Sequence, residues 1–191
     1  MRLTKFKIHF LPIVIFLLAC QATELDYDNP LDVPSDEVPA IVFEPSIEQI
    51  PLLSSSLINV FAVEVENVTG IRAEITYDNN ILQVSDVARG DLFGQNSQNS
   101  LFFVNFQDNP GTIVIDYFYL GNSESQSVSG TGKIASILFK GNAVGASGLE
   151  FTSKTELVDK DDIQINIRSR GQGNIDVIPV SYTHLRAHET V

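Results

Sequence analysis

The sequence is poor in the side chains that most enzymes use at their active sites. Its 191 residues include one Cys, three His and no Trp. The His residues are His9, His184 and His188, so the long segment between the first two has no imidazole. A nucleophilic Ser or Cys usually needs His as its base, and structural zinc sites use Cys and His. We therefore predict a protein that is not an enzyme, with no catalytic residues, no metal and no cofactor.

Positive charge is also scarce. The chain has 12 Lys and Arg against 24 Asp and Glu, a net charge of −12. A nucleic-acid binder needs a basic surface that neutralises phosphates, so a nucleic-acid partner is excluded. With a single Cys, no disulfide can form within the chain.

The N-terminus has the pattern of an export signal. Three basic residues, Arg2, Lys5 and Lys7, precede a largely apolar stretch at 8–18 that is too short to span a bilayer comfortably. The stretch ends in LLAC, which resembles a bacterial lipobox with Cys20 as the lipidated residue. We predict a lipoprotein signal peptide at 1–20, membrane contact by the lipid anchor only, and location at the bacterial outer membrane or cell surface. The alternative is an ordinary secretory signal with an incidental Cys.

The two segments beside the central region are set apart by composition. Residues 21–40 are acidic, contain three Pro and lack an apolar period, which predicts a flexible tether. Residues 180–190 read VSYTHLRAHET, which matches the translation of a transposase-type sequencing adapter. We therefore interpret 179–191 as a non-native tail and the chain as a fragment. A third hypothesis follows, in which a missing C-terminal part of a larger scaffold carries the activity.

Residues 41–178 alternate between apolar and polar positions with period two. Phe61, Val63 and Val65 alternate with smaller or charged residues, and the same pattern runs over 71–77 before a turn at 78–80. Short turns rich in Gly, Asn and Ser separate such runs, and no helical stripe is present. The pattern predicts an all-β domain, a two-sheet antiparallel β-sandwich of jelly-roll-like form with about nine strands.

Five segments follow one another along the predicted domain: FAVEVENVTG at 61–70, IRAEITYDNNIL at 71–82, VARGDLF at 87–93, GTGKIASILFK at 130–140 and GNIDV at 173–177. In this order they resemble the cohesin domain family, which shares its superfamily with cellulose-binding β-sandwiches. Asn79 stands where the family usually has Pro. The resemblance implies a non-catalytic module that binds a protein partner of the dockerin type in a polysaccharide-related assembly.

Two sets of residues are candidates for the partner surface, because each lies on the outward parity of a predicted strand. The sets are Arg72, Glu74 and Thr76 in one strand, and Val114, Asp116 and Phe118 in another. The resemblance implies that the sheet carrying the first set presents the binding face. The alternatives are an ordinary solvated strand for the first set and burial under a loop at 94–100 for the second.

A glycan is the alternative partner. Tyr117 and Tyr119 share one parity, so they could form a small platform on which a sugar ring stacks. Two acidic groups carry weaker hypotheses. Glu64 and Glu66 suggest a glycosidase pair but lie on an open strand, and the acidic run at 159–162 lacks the pattern of an EF-hand Ca²⁺ loop and is typical of a solvated turn.

Overall fold

The computed structural model describes residues 29–94, 97–121 and 125–180. The predicted signal peptide with Cys20, the first part of the predicted tether and residues 181–191 lie outside the described residues. The described ranges contain strands and one 3-10 turn, Ser97–Asn99, but no α-helix. None of their helical segments is long and apolar enough to span a bilayer.

The strands are β1 (Ala40–Glu44), β2 (Ile47–Pro51), β3 (Ser55–Thr76), β4 (Leu82–Arg89), β5 (Ser100–Asn105), β6 (Thr112–Tyr119), β7 (Val128–Gly141), β8 (Gly145–Phe151), β9 (Glu156–Asp159), β10 (Gln164–Ile165), β11 (Ser169–Arg170) and β12 (Gly173–Ile178).

The long strand β3 belongs to both layers of a sandwich. Its first half pairs with β1 and β7, and β7 pairs with β4. Its second half pairs with β6 and β9, and β6 pairs with β5. A third ladder, β2–β12–β8, joins the end of β3 through β8. The predicted all-β sandwich is confirmed. Twelve strands are present in the described residues instead of about nine, and the pairs β1–β11 and β2–β12 are parallel.

The core lies between the inward-facing residues of the two layers. In the layer of β6, the inner positions are Ile113, Ile115 and Tyr117, all fully buried. Ile137 and Phe139 of β7 face them from the other layer and are equally buried. Because side chains alternate along a strand, this arrangement turns the intervening residues of β6 outward.

A β-bulge in β3 makes the predicted alternation at 61–65 wrong. Ala62 and Val65 face the main core, whereas Phe61 and Val63 pack on the opposite side. The register with β7 shifts between Val60 and Phe61, where the extra residue lies in β7, and between Ala62 and Val65, where it lies in β3. The extra residue in β3 reverses the parity of the residues after it, so a strict period of two fails at Val65.

The last part of the predicted tether packs against the domain. Leu31, Val33 and Val38 contact a small cluster that includes Ala40 and Val63. The chain is also fastened by the amide of Arg168, which donates to the carbonyl of Pro39 at 2.9 Å. The prediction of a flexible segment reaching residue 40 is therefore wrong for 29–40, because the few apolar residues there have an apolar surface to cover.

Candidate partner-binding face

The two predicted sets of site residues lie side by side on one sheet. Strands β3 and β6 are antiparallel neighbours, and their outward residues pair directly across the ladder. The pairs are Gly70–Phe118, Arg72–Asp116, Glu74–Val114 and Thr76–Thr112. The sequence analysis predicted the two sets on separate strands, and the pairing of β3 with β6 joins them into one surface. We call the solvent side of β9, β3, β6 and β5 the outer face.

The β5 side of the outer face is apolar. Leu101 lies opposite Phe118, and Phe103 lies opposite Asp116. Exposed fractions are 43% for Leu101, 57% for Phe103 and 40% for Phe118. Three large apolar side chains on two adjacent strands are therefore in contact with solvent.

The centre of the outer face carries an ion pair. Arg72 Nε lies 3.4 Å from Asp116 Oδ1, and their side chains are 47% and 28% exposed. At this exposure the pair adds little to stability, about 0–1 kcal/mol. Its groups stay accessible, and they can offer directional hydrogen bonds to another molecule.

Glu74 is held by its own neighbours. Its carboxylate accepts hydrogen bonds from Thr152 Oγ1 at 3.0 Å and Lys154 Nζ at 3.2 Å, and its side chain is 12% exposed. The buried Thr155 hydroxyl bonds to both the amide and the carbonyl of Glu74, where β8 has ended and β9 has not begun. Glu74 therefore fastens the 152–155 turn. Of the first predicted set, Arg72 is the residue whose side chain is exposed to solvent.

Gly70 lets two side chains close over β3. A Cβ at this position would lie 2.7 Å from Val158 Cγ2 and 3.2 Å from Phe118 Cδ1. A larger residue would therefore push Phe118 away from its present position on the outer face. Gly70 lies inside β3, so its missing side chain serves packing over the strand and not a turn.

The predicted sugar platform of Tyr117 and Tyr119 is wrong. Tyr117 is fully buried, and its hydroxyl donates to the carbonyl of Gly90 at 3.1 Å. Its ring packs against Phe93, with ring centres 4.6 Å apart, and Tyr119 contacts the same ring at 5.5 Å. Both tyrosines have the parity of the buried Ile115, so they face the core and the segment after β4 that covers it.

The structure places one acidic group in a closed turn and the other on an exposed stretch of β3. Asp159 Oδ1 accepts hydrogen bonds from the amides of Asp161 and Ile163, both at 2.9 Å, and so closes a turn. The hydrogen bond and the charge of Asp161 raise the pKa of Lys160. Glu64 and Glu66 are both exposed. Within the described residues, no group of three or more His, Cys, Asp or Glu side chains could hold a metal ion.

Sequence reasoning did not place Leu101 and Phe103 in the candidate surface. Aromatic residues occur at both parities of β5 and β6, so the outward parity could not be chosen from one strand alone. The signal was the charge of Asp116, which marks the outer face of β6 and, through the β5–β6 register, would have marked Phe103 as well.

Comparison with known proteins agrees with the family predicted from the sequence. The family model for the cohesin domain matches residues 57–171. The chain is similar to a non-cellulosomal cohesin from the archaeon Archaeoglobus fulgidus, with 21% identity, a TM-score of 0.57, and coverage of 73% of this chain and 91% of that one. It is similar to the seventh ScaB type I cohesin from Pseudobacteroides cellulosolvens, with 19% identity, a TM-score of 0.60, and coverage of 78% and 97%. A third match is a type I cohesin–dockerin complex of OlpA from Clostridium thermocellum, with 16% identity, a TM-score of 0.57, and coverage of 73% and 98%. No curated protein sequence matches the chain.

Proposed function

Because this chain belongs to the cohesin domain family, we propose that it is a non-catalytic module whose outer face binds a protein partner of the dockerin type. The observation that carries the proposal is the exposed apolar group of Leu101, Phe103 and Phe118 on adjacent strands. A matched solved structure is a cohesin–dockerin complex, which supports the class of partner.

The physical argument rests on desolvation. A contiguous group of large exposed apolar side chains on a soluble domain marks an interaction surface. Aromatic anchors near the centre of an interface contribute most of its binding energy, while a polar rim sets orientation. Phe103 and Phe118 have the character of such anchors, and the Arg72–Asp116 pair beside them provides polar groups.

The direct test is calorimetric titration of the chain with a broad panel of dockerin modules, in Ca²⁺ and in chelator. We expect at least one module to bind with one-to-one stoichiometry. The control is the same titration with isolated helical domains of similar charge, which are expected not to bind. Failure of the entire panel in both conditions would remove the dockerin-type partner from the proposal.

We also propose that a lipid on Cys20 anchors the module at the bacterial outer membrane or cell surface. The support is the LLAC motif after a basic and apolar N-terminus. Two signals are usually needed for stable anchoring by lipid, and the several acyl chains of a lipoprotein meet that need.

The anchor is tested by expressing the chain and Cys20→Ser in a bacterium with a lipoprotein pathway. The unchanged chain is expected in the membrane fraction, with a mass that includes the acyl chains, and Cys20→Ser in the soluble exported fraction. Equal fractionation of the two proteins, or an unmodified Cys20 in the mass spectrum, would contradict the anchor.

A further inference from the structure

A cleft of about 820 Å³ lies at one end of the sandwich, between the start of β4 and the turn that joins β5 to β6. No residue in its lining is charged, although 19% of the chain is Asp, Glu, Lys or Arg. Ligand sites commonly combine apolar walls with a few polar groups that set orientation. The composition of this lining therefore restricts the chemistry of the ligand that it can bind.

The polar groups of the cleft are mostly side-chain amides. Asn79, Gln83, Gln107 and Asn142 line it together with Ser85. Each amide carries two donor hydrogens and an acceptor oxygen, which suits a ligand group that both donates and accepts. A hydroxyl is such a group, whereas a carboxylate or an ammonium is not.

Much of this hydrogen-bonding capacity is unused. Asn142 Nδ2 donates to Gln83 Oε1 at 3.4 Å, which leaves the Gln83 amide hydrogens available. Within the described part of the chain, neither the Gln107 side chain nor the Ser85 hydroxyl makes a hydrogen bond. Both residues are exposed, so a ligand in the cleft can reach these groups.

Two aromatic rings supply the apolar part of the wall. Tyr77 and Phe106 are both partly buried and pack against the core. The Phe139 ring packs against the Tyr77 ring at a steep angle, with ring centres 5.6 Å apart and planes at 69°. A fixed ring offers a negative π-face, which attracts the positively polarised C–H face of a sugar ring.

Hydrogen bonds donated by backbone amides hold the separate segments of the wall together. The Tyr77 amide donates to the Gly111 carbonyl at 3.0 Å, and the Asn142 amide donates to the Ile81 carbonyl at 2.8 Å. The Asp78 amide donates to Ser147 Oγ at 2.9 Å. The cleft is therefore organised before a ligand arrives, which lowers the entropic cost of binding.

From this combination we infer that the cleft binds a neutral oligosaccharide. Uncharged rings carrying several hydroxyls match a wall of amides and aromatic rings, and no cation lines the cleft to pair with an acidic sugar. Binding of a peptide would need large apolar cavities for its side chains. The amide groups at Gln83 and Gln107 do not provide such cavities. The site is separate from the outer face, since no residue that lines the cleft belongs to the outward sets of β3, β6 and β5.

The test is affinity electrophoresis and calorimetry of the full chain with neutral hexasaccharides of glucose, xylose and mannose, with polygalacturonate as a charged probe and an uncharged Ser/Thr hexapeptide as a peptide probe. We expect at least one neutral hexasaccharide to bind and the other two probes not to bind. Gln107→Ala is expected to weaken the binding about tenfold, or about 1.4 kcal/mol. The matched control is Gln164→Ala, an exposed Gln in the short strand β10, which should bind as the unchanged chain does.

Three results would overturn the inference: no neutral hexasaccharide binds, the peptide or the polyuronate binds in its place, or Gln107→Ala and Gln164→Ala bind equally. Phe103→Ala tests whether the two surfaces are independent. Because Phe103 lies on the outer face, this variant should keep full saccharide affinity. If it lost saccharide affinity, the sugar would be assigned to the outer face and not to the cleft.

Discussion

Replacing Gly90 with Ala is expected to lower the free energy of unfolding by about 3 kcal/mol or more, because no space exists for a side chain. A Cβ on Gly90 would lie 2.0 Å from the carbonyl oxygen of Lys133 and 2.7 Å from the carbonyl carbon of Ile134. Both neighbours are backbone atoms of β7, so a rotamer change cannot relieve the overlap. Either β7 or the end of β4 must move.

The displacement would also break hydrogen bonds. The Gly90 amide donates to the Ile134 carbonyl at 2.9 Å, and the Gly90 carbonyl accepts from the buried Tyr117 hydroxyl at 3.1 Å. Leaving a buried polar group without a partner costs about 1–3 kcal/mol. The total is a large part of the stability of a small domain, which is about 5–15 kcal/mol.

Denaturant titration and thermal melting measure this effect. The melting temperature of Gly90→Ala should fall by roughly 10 °C for a loss of this size. Gly148→Ala is the matched control, because a Cβ there would meet no atom within 4 Å. That variant should stay within about 0.5 kcal/mol of the unchanged chain. A Gly90→Ala protein as stable as Gly148→Ala would show that β7 does not approach Gly90 so closely.

Removing the ring of Phe103 is expected to weaken binding of the protein partner about 30-fold. Phe103 is the most exposed of the apolar group on the outer face, at 57%. An aromatic anchor that becomes fully desolvated in an interface contributes about 2 kcal/mol or more, which corresponds to a factor of about 30. Leu101→Ala should act in the same direction with a smaller loss, because its side chain is smaller and 43% exposed.

Titration with a dockerin module that binds the unchanged chain provides the measurement. The matched control is Leu57→Ala, since Leu57 is 49% exposed but lies in the first half of β3, in the other layer. It should retain the affinity within about twofold. All three variants should melt close to the unchanged chain, because exposed substitutions change stability little. If Leu57→Ala and Phe103→Ala lost affinity equally, the outer face would not be the binding surface.

The two proposed surfaces differ in chemistry and in the elements that form them. The outer face is a sheet surface with exposed apolar side chains, whereas the cleft is a concave end of the sandwich with side-chain amides. A module with both could be held by a protein partner while its other end contacts neutral polysaccharide. Phe103→Ala and Gln107→Ala distinguish the two activities, since each should impair one and leave the other unchanged.

The sequence by itself determined the class of the fold and the family. Alternation of apolar and polar residues reports directly which strand faces are buried, and the ordered segments that resemble cohesins fall largely within the region that the family model matches. It also restricted the chemistry, because a domain with no imidazole between residues 9 and 184 lacks the usual general base.

Only the tertiary structure decided which faces meet. The bulge in β3 reverses parity between Ala62 and Val65, the cover over Tyr117 comes from a segment more than twenty residues away along the chain, and the pairing of β3 with β6 brings Arg72 beside Asp116. The cleft likewise unites residues 77–85, 106–110 and 142. Such contacts depend on register between distant strands, and a period of two within one strand carries no information about register with another.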